Sequence, residues 1–370
     1  MTREQDERLT KLRESGIEIY SISRLGTINN CLAEAYKTYV LGERGKSNIY
    51  AILGSKTHDI LEGIVNNKNT EEDLLPAVQS ELDDMDALGI NFPKDFKGGD
   101  SIREGWIADM EHFCKNYKSP RGNNLHTEEL FIYKTPKGRY LQGFIDLYKE
   151  NKDGSISIFD YKTSSMYSGE AIREHGYQLI TYALGKMQEG YTVKSVAWIM
   201  LKYVDVEFMG YKTARAKEKT LITKQVERRK IAAEMAKFVE NDLAQLGYDD
   251  VDSDIILTEF KQTNSFDCLP EEIRNNYKIK PCVFEYELTD ERIQDCIDYI
   301  DTTIDKWEAL DKTDESIFVP KEFKKVNKLG KEVSDTFYCC SLCGHFDTCS
   351  YIRDYLDTLQ SSESSDDDLF

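Results

Sequence analysis

Apolar residues along the chain change their period twice, and those changes mark out its organisation. Residues 52–65 repeat at helical spacing, with Gly54 and His58 four apart on one face. Residues 66–118 are rich in acids and turn residues and read as a mostly helical insertion. From Glu128 the pattern turns to β-branched and aromatic runs at 129–133, 141–148 and 155–161, which predict three strands. Asn151-Lys152-Asp153-Gly154 supplies the turn that folds the second of these onto the third. A helix over 169–187 and an apolar strand over 193–201 follow. The predicted order is helix, three strands, helix, strand, an α/β core at about 50–203. An N-terminal helical stretch carries Cys31. Beyond Tyr203 a mostly helical region at about 204–330 holds long helices over about 222–246 and 290–310, separated by an irregular stretch with short strand candidates. No internal repeat is visible.

The strands bring chemistry with them. Asp146 closes Gly143-Phe144-Ile145-Asp146, and Asp160 opens Asp160-Tyr161-Lys162, so two carboxylates fall near the ends of adjacent strands. Two such carboxylates repel unless something neutralises them, and a hard divalent cation such as Mg²⁺ or Mn²⁺ is the usual solution. Lys162 then sits where it could help activate a water. Glu128 and Glu129, at the start of the first strand, read as exposed strand charges rather than as ligands for a second metal.

Composition narrows the setting. A chain of 370 residues can bury a substantial core as one elaborated domain or two to three smaller ones. Residues 1–10 lack an apolar signal region and no run approaches a membrane span, so a soluble cytoplasmic protein is the expectation. A net charge of −19 argues against indiscriminate coating of nucleic acid. Within that acidic chain lies a basic island, Lys212, Arg215, Lys217, Lys219, Lys224, Arg228, Arg229 and Lys230 against Glu218 and Glu227. It reads either as a solvated helix face or as a DNA path.

Nine cysteines in a reducing compartment suggest metal rather than a disulfide framework. Cys340, Cys343 and Cys349 form a C-x₂-C-x₅-C run, one thiolate short of four. Cys339, Cys340, Cys343, His345 and Cys349 could instead assemble a local zinc site. Cys114, Cys268, Cys282 and Cys296 are scattered and read as ordinary half-buried thiols. Gly42-Glu43-Arg44-Gly45-Lys46-Ser47 imitates the end of a phosphate-binding loop, but its first glycine would fall at Val40, so no ATP site is expected.

Gly54-Ser55-Lys56-Thr57-His58, Gly143-Phe144-Ile145-Asp146, Asp160-Tyr161-Lys162 and Gln178-Leu179-Ile180-Thr181-Tyr182 occur in the order of motifs found in RecB-like nucleases, and over about residues 21–201 the chain resembles that branch of the PD-(D/E)XK superfamily. The resemblance implies a restriction-endonuclease-like αβββαβ core with a mixed central sheet. By it His58, Asp146, Asp160 and a backbone carbonyl near Tyr161 would hold Mg²⁺ or Mn²⁺, Lys162 would orient or activate water, and Gln178 and Tyr182 would support the site and contact DNA. Cys31, shortly before the first motif, is placed like the lone N-terminal cysteine of the iron–sulfur subgroup, which includes the AddB nuclease domain and the CRISPR-associated exonucleases. The carry-over there is Cys31, Cys340, Cys343 and Cys349 around a [4Fe–4S] cluster, with zinc as the open alternative.

The chain ends in an acidic segment expected to be disordered over about 356–370. Asp366, Asp367, Asp368, Leu369 and Phe370 resemble the phenylalanine-terminated tip of bacterial single-stranded-DNA-binding proteins, which suggests docking onto a replication or recombination assembly of a phage or other mobile element; a solubilising tail is the plain alternative. The expected function is a metal-dependent exonuclease on single-stranded DNA or DNA ends, in replication, recombination or repair. A DNA-end-binding or assembly module with secondary cleavage is the other reading.

Overall fold

The computed structural model describes residues 6–95, 97–211, 218–327 and 329–366, with side chains described as far as residue 360. Helix α1 (Glu7–Glu14), the short strand β1 (Ile19–Tyr20) and helices α2 (Ile22–Asn30) and α3 (Leu32–Tyr39) lead into α4 (Ile49–Val65), α5 (Leu74–Ala87) and α6 (Ser101–Asn116). Strands β2 (Leu125–Lys134), β3 (Tyr140–Glu150) and β4 (Ile156–Lys162) follow, then α7 (Glu170–Gln188) and β5 (Val193–Gly210). The predicted helix, three strands, helix and strand are all present, with residues 66–118 forming α5 and α6.

The central sheet is mixed. Strand β3 pairs antiparallel with β2 and β4, whereas β4 pairs parallel with β5, as a crossover through α7 requires. Helix α7 and the later α11 (Asp290–Ala309) bury Leu179, Ile180, Ile300 and Ile304 with Ile158, Val196 and Trp198 of the sheet. A second core gathers Leu53, Leu61, Val78 and Met110 of α4 to α6 with Leu147, Tyr161 and Leu201. The sheet is therefore covered on both faces, which explains the unbroken apolar run from Val196 to Leu201 in β5.

The region after residue 203 differs from the helical expectation. Strand β5 continues to Gly210, β6 (Thr220–Glu227) pairs with it, and α8 begins only at Ile231 (Ile231–Leu246). Alternation decides this: Val226 is buried while Leu221 and Gln225 face outward, a period of two that a helix could not use. After α9 (Asp250–Thr263) and the single turn α10 (Glu271–Arg274), β7 (Lys278–Tyr286) also joins the sheet through β5. A third core of Val204, Phe208, Val226, Met235, Val239 and Phe260 fills this extension. Beyond α11 a two-stranded ribbon, β8 (Lys324–Val326) and β9 (Glu332–Ser334), precedes the cysteines. The terminal segment is another difference: α12 spans Ser350–Asp366, with Ile352 fully buried near its start, so residues 356–366 are helical. Among the described residues no helix is long and apolar enough to cross a membrane.

Candidate metal centre and cysteine lobe

Strand register builds the acid centre. In the β2–β3 ladder Thr127 pairs with Leu147 and Glu129 with Ile145, which leaves Glu128 opposite Asp146. On the other side of β3 the β4 ladder ends at Leu147 and Phe159, and the next positions in that register are Asp146 and Asp160. Glu128, Asp146 and Asp160 thus lie in one row across three strands, where the β3–β4 ladder ends and the β2–β3 ladder is interrupted for one pair. Glu128 has a left-handed backbone, φ 48°, a conformation that costs a non-glycine residue about 1–3 kcal/mol and persists only when its surroundings enforce it. The freed backbone does not go unbonded, since the Tyr161 amide donates to Asp146 Oδ2 at 2.9 Å. Gly143 is required by packing, because a β-carbon there would come within 2.7 Å of the Phe131 ring.

Helix α4 delivers His58 from above. Asn48 caps it by accepting from the Ala51 amide, and Leu53, Leu61 and Ile64 anchor its apolar face. His58 Nδ1 lies 3.3 Å from Asp146 Oδ2. Burial alone would push its imidazolium down, but the hydrogen bond and charge of Asp146, with Asp160 behind, leave the pKa raised. Ligand atoms of His58, Glu128 and Asp146 all lie within 4.8 Å of one another. Burial and then the charge of Asp146 push the Glu128 carboxyl up to about 7.

Helix α7 closes the site with a ring of polar contacts. Lys162 Nζ is 2.6 Å from Asp160 Oδ2 and donates to Gln178 Oε1 at 2.9 Å. Gln178 Nε2 donates to the Tyr182 hydroxyl at 2.7 Å, and that hydroxyl reaches Asp160 Oδ1 at 3.4 Å. Burial raises the Asp160 pKa against the opposing charge of Lys162. For Lys162 burial works downward, and Asp160 outweighs it to leave the ammonium raised.

The arrangement fits a hard divalent cation. Asp160 Oδ2 is buried and, despite the nearby ammonium, has no well-formed hydrogen bond. His58, Glu128 and Asp146 converge and Asp160 lines the same cavity, which gives the oxygen-rich donor set such an ion takes. His58, Asp146, Asp160, Lys162, Gln178 and Tyr182 are brought together as their sequence positions suggested. Gln178 and Tyr182 are engaged in supporting Lys162 and Asp160, and Tyr182 is buried. Glu128 is the ligand candidate that the sequence reading missed. A signal for it existed: continuing the β2–β3 hairpin register from Lys134 and Tyr140 places Glu128 opposite Asp146. Its neighbour Glu129 is no free surface charge, since it pairs with the buried Lys186 and accepts from Tyr148 at 2.6 Å.

The basic island resolves differently from a DNA path along a helix. Lys212, Arg215 and Lys217 lie outside the described residues. Lys219 pairs with Asp242 and Lys224 with Glu234. Arg228 is buried, donating to the Leu201 carbonyl at 2.6 Å and facing His112 at 3.2 Å. Arg229 is held by Asp109 and Glu227, and Lys230 by Glu227. A cation whose donors are already used in packing α6 onto β5 is a structural tie, so Arg228 is corrected from DNA ligand to core residue.

At the other end of the chain, Cys31 sits at the α2–α3 junction, and Cys339, Cys343 and Cys349 face it around a cavity of about 100 Å³. Cys339 replaces Cys340 in this set: Cys339 is buried, whereas Cys340 is exposed and is not among the cavity residues. Adjacent residues on a tight turn point apart, and the cysteine spacing alone does not reveal which of two faces inward. Burial, reinforced by neighbouring thiols, pushes Cys339 and Cys343 up to about 12. His345 is buried and its Nε2 lies 2.9 Å from Thr38 Oγ1. The loop that imitated a phosphate-binding motif instead seals this lobe: the Lys46 amide donates to the Gly344 carbonyl, and a β-carbon on Gly344 would fall 2.6 Å from the Lys46 carbonyl. Asp367, Asp368, Leu369 and Phe370 lie outside the described residues, as does the side chain of Asp366.

No curated protein matches the chain. Among solved structures, the crystal structure of SSO0001 is similar at 14% identity over 53% of this chain and 75% of that one, with a TM-score of 0.18. The family model described as the PD-(D/E)XK nuclease superfamily matches residues 19–268, a span that holds Glu128 and every other residue of the acid centre. The chain belongs to the PD-(D/E)XK nuclease superfamily.

Proposed function

We propose that this chain is a Mg²⁺- or Mn²⁺-dependent deoxyribonuclease of the RecB-like, iron–sulfur branch, acting exonucleolytically on single-stranded DNA or DNA ends. The observation that carries the reading is the row of Glu128, Asp146 and Asp160 with His58 on one side and Lys162 on the other. Those four acid and histidine side chains would hold the ion, with the Tyr161 carbonyl as a further donor. When bound, a hard divalent cation supplies Lewis-acid stabilisation of charge on the scissile phosphate and acidifies the attacking water. Lys162 points into the same space and orients that water, while Gln178 and Tyr182 fix the position of its ammonium and of Asp160.

An iron–sulfur cluster held by Cys31, Cys339, Cys343 and Cys349 is proposed over zinc, because these four thiols line one cavity and His345, which a local zinc site would recruit, is already engaged with Thr38. On its sequence alone, the Asp366 to Phe370 end is proposed to dock on a replication or recombination protein.

The test is purified protein with end-labelled single- and double-stranded DNA in Mg²⁺, Mn²⁺ or chelator. Progressive shortening from an end, with metal only, is the expected result. Binding to DNA ends without cleavage in either metal would replace this reading by an end-binding or assembly module.

A further inference from the structure

The acid centre lies where two grooves meet, and the two differ sharply in charge. Both include Ser55, His58 and Lys162. One, of about 980 Å³, is lined by Asp59, Glu62, Glu128, Asp146 and Asp160. The other, of about 790 Å³, runs between α4, α6, β5 and the cysteine lobe and has Lys162, Lys202 and Arg229 in its wall without one carboxylate. Arg229 is paired with Asp109 and Glu227 and Lys162 with Asp160, which leaves Lys202 as the wall cation open to a polyanion.

Among the described residues, two groups in this groove have polar atoms without a partner, and a third exposes an aromatic ring. Lys202 is half-buried and, among the described residues, makes no hydrogen bond or ion pair, unlike Arg228, Arg229 and Lys230 beside it. Burial pushes its ammonium down, partly offset by Asp109, so an anion brought to it would be stabilised. Trp106 is buried at the groove wall with no partner for its indole N–H. Phe337, two residues before Cys339, also lines the groove and is 51% exposed.

We propose that this groove carries a single strand of the nucleic acid on one side of the scissile phosphate, with Lys202 engaging a backbone phosphate and Phe337 stacking on an unpaired base. An exposed aromatic ring paired with a cation in a narrow groove is the ordinary equipment for holding single strands, because every base has a stacking face and a base inside a duplex has both faces covered. The assignment rests on the nuclease reading and deepens it: the cysteine lobe forms part of the substrate channel as well as tying the chain ends.

The experiment measures binding of the full chain to a labelled single-stranded oligonucleotide and to the matching duplex, with Ca²⁺ in place of Mg²⁺. Lys202→Ala and Phe337→Ala should each weaken single-strand binding about tenfold and duplex binding by less than about twofold. Lys202→Ala should lower the slope of log affinity against log salt by about 0.7, the value for one phosphate contact on a single strand. Phe337→Ala should leave that slope unchanged, and Lys202→Arg should restore it. Mn²⁺ binding by each variant reports an intact acid centre, and Phe337 is exposed enough for its truncation to spare the core. Parent-like single-strand binding by Lys202→Ala or Phe337→Ala, in a parent that cleaves the same oligonucleotide with Mg²⁺, overturns the strand assignment alone. A parent that neither binds nor cleaves overturns the nuclease reading and this inference together.

Discussion

The acid centre and the cysteine lobe both gather reactive side chains, and they are built in opposite ways. In the first, β2, β3 and β4 set three carboxylates in a row, α4 and α7 supply His58, Gln178 and Tyr182, and the polar ring closes through Lys162 with no added group. In the second, one thiol comes from a helix junction and three from the short turns after β9, and all remain free cysteines around a cavity. A self-supporting site can lose its ion and keep its shape. A metal group held by the thiols of the lobe, as proposed, would join distant parts of the chain and so would contribute folding energy outright.

The largest expected effects separate activity from stability. Asp160→Ala should lower cleavage by about a thousandfold or more, since several kcal/mol of charge stabilisation go with the ion. Its melting temperature should stay within a few degrees of the parent, because relief of the burial and Asp146 repulsion that raise the Asp160 pKa offsets the loss of the Lys162 partner. A fall of many degrees in a thermal melt would show that the acid centre is not self-supporting, which breaks the contrast. Cys339→Ser should do the reverse, with iron content lost and the melting temperature down by roughly 5–10 °C. Cys340→Ser, altering an exposed thiol, should keep both. Iron analysis and melting of the two serine variants side by side decide which neighbour faces inward.

What could be read in advance follows the same division. The order of core elements and the meeting of His58, Asp146, Asp160 and Lys162 were legible because strand and helix periods carry side chains to predictable places. Glu128 was passed over because its role depends on hairpin register, and a kinked residue inside a strand looks like any other strand charge. The run through Arg228, Arg229 and Lys230 read as an open cationic surface because partners such as Asp109 on α6 are distant in sequence and meet it only after folding. The choice between Cys339 and Cys340 turns on the orientation of one irregular turn, for which no periodicity exists.

A smaller effect sharpens the picture of the acid centre. Glu128→Gln keeps the size of the side chain and removes one charge from the carboxylate row. Calorimetric titration with Mn²⁺ should show affinity weakened about tenfold, the scale of one lost ionic ligand contact, with the fold unchanged. Parent-like affinity would return Glu128 to the role of a strand residue and leave His58, Asp146 and Asp160 as the ligand set.

The smallest effect tests a direct tie between the two regions. Asn48 accepts from the Ala51 amide to cap α4, the helix that carries His58, and its amide group donates to the Leu342 carbonyl in the cysteine lobe at 3.0 Å. Asn48→Ala removes both bonds and should cost about 1–2 kcal/mol, a cap and a hydrogen bond together. Asn48→Asp separates them, because a carboxylate still accepts from the helix but cannot donate to a carbonyl. If the lobe helps to place His58 through this bond, Asn48→Asp should match the parent in helix content yet lose two- to fivefold in cleavage rate and shed iron faster under oxygen. If the cap alone matters, Asn48→Asp should behave as the parent while Asn48→Ala does not, and the two regions would then be neighbours that share a groove without sharing a mechanical link.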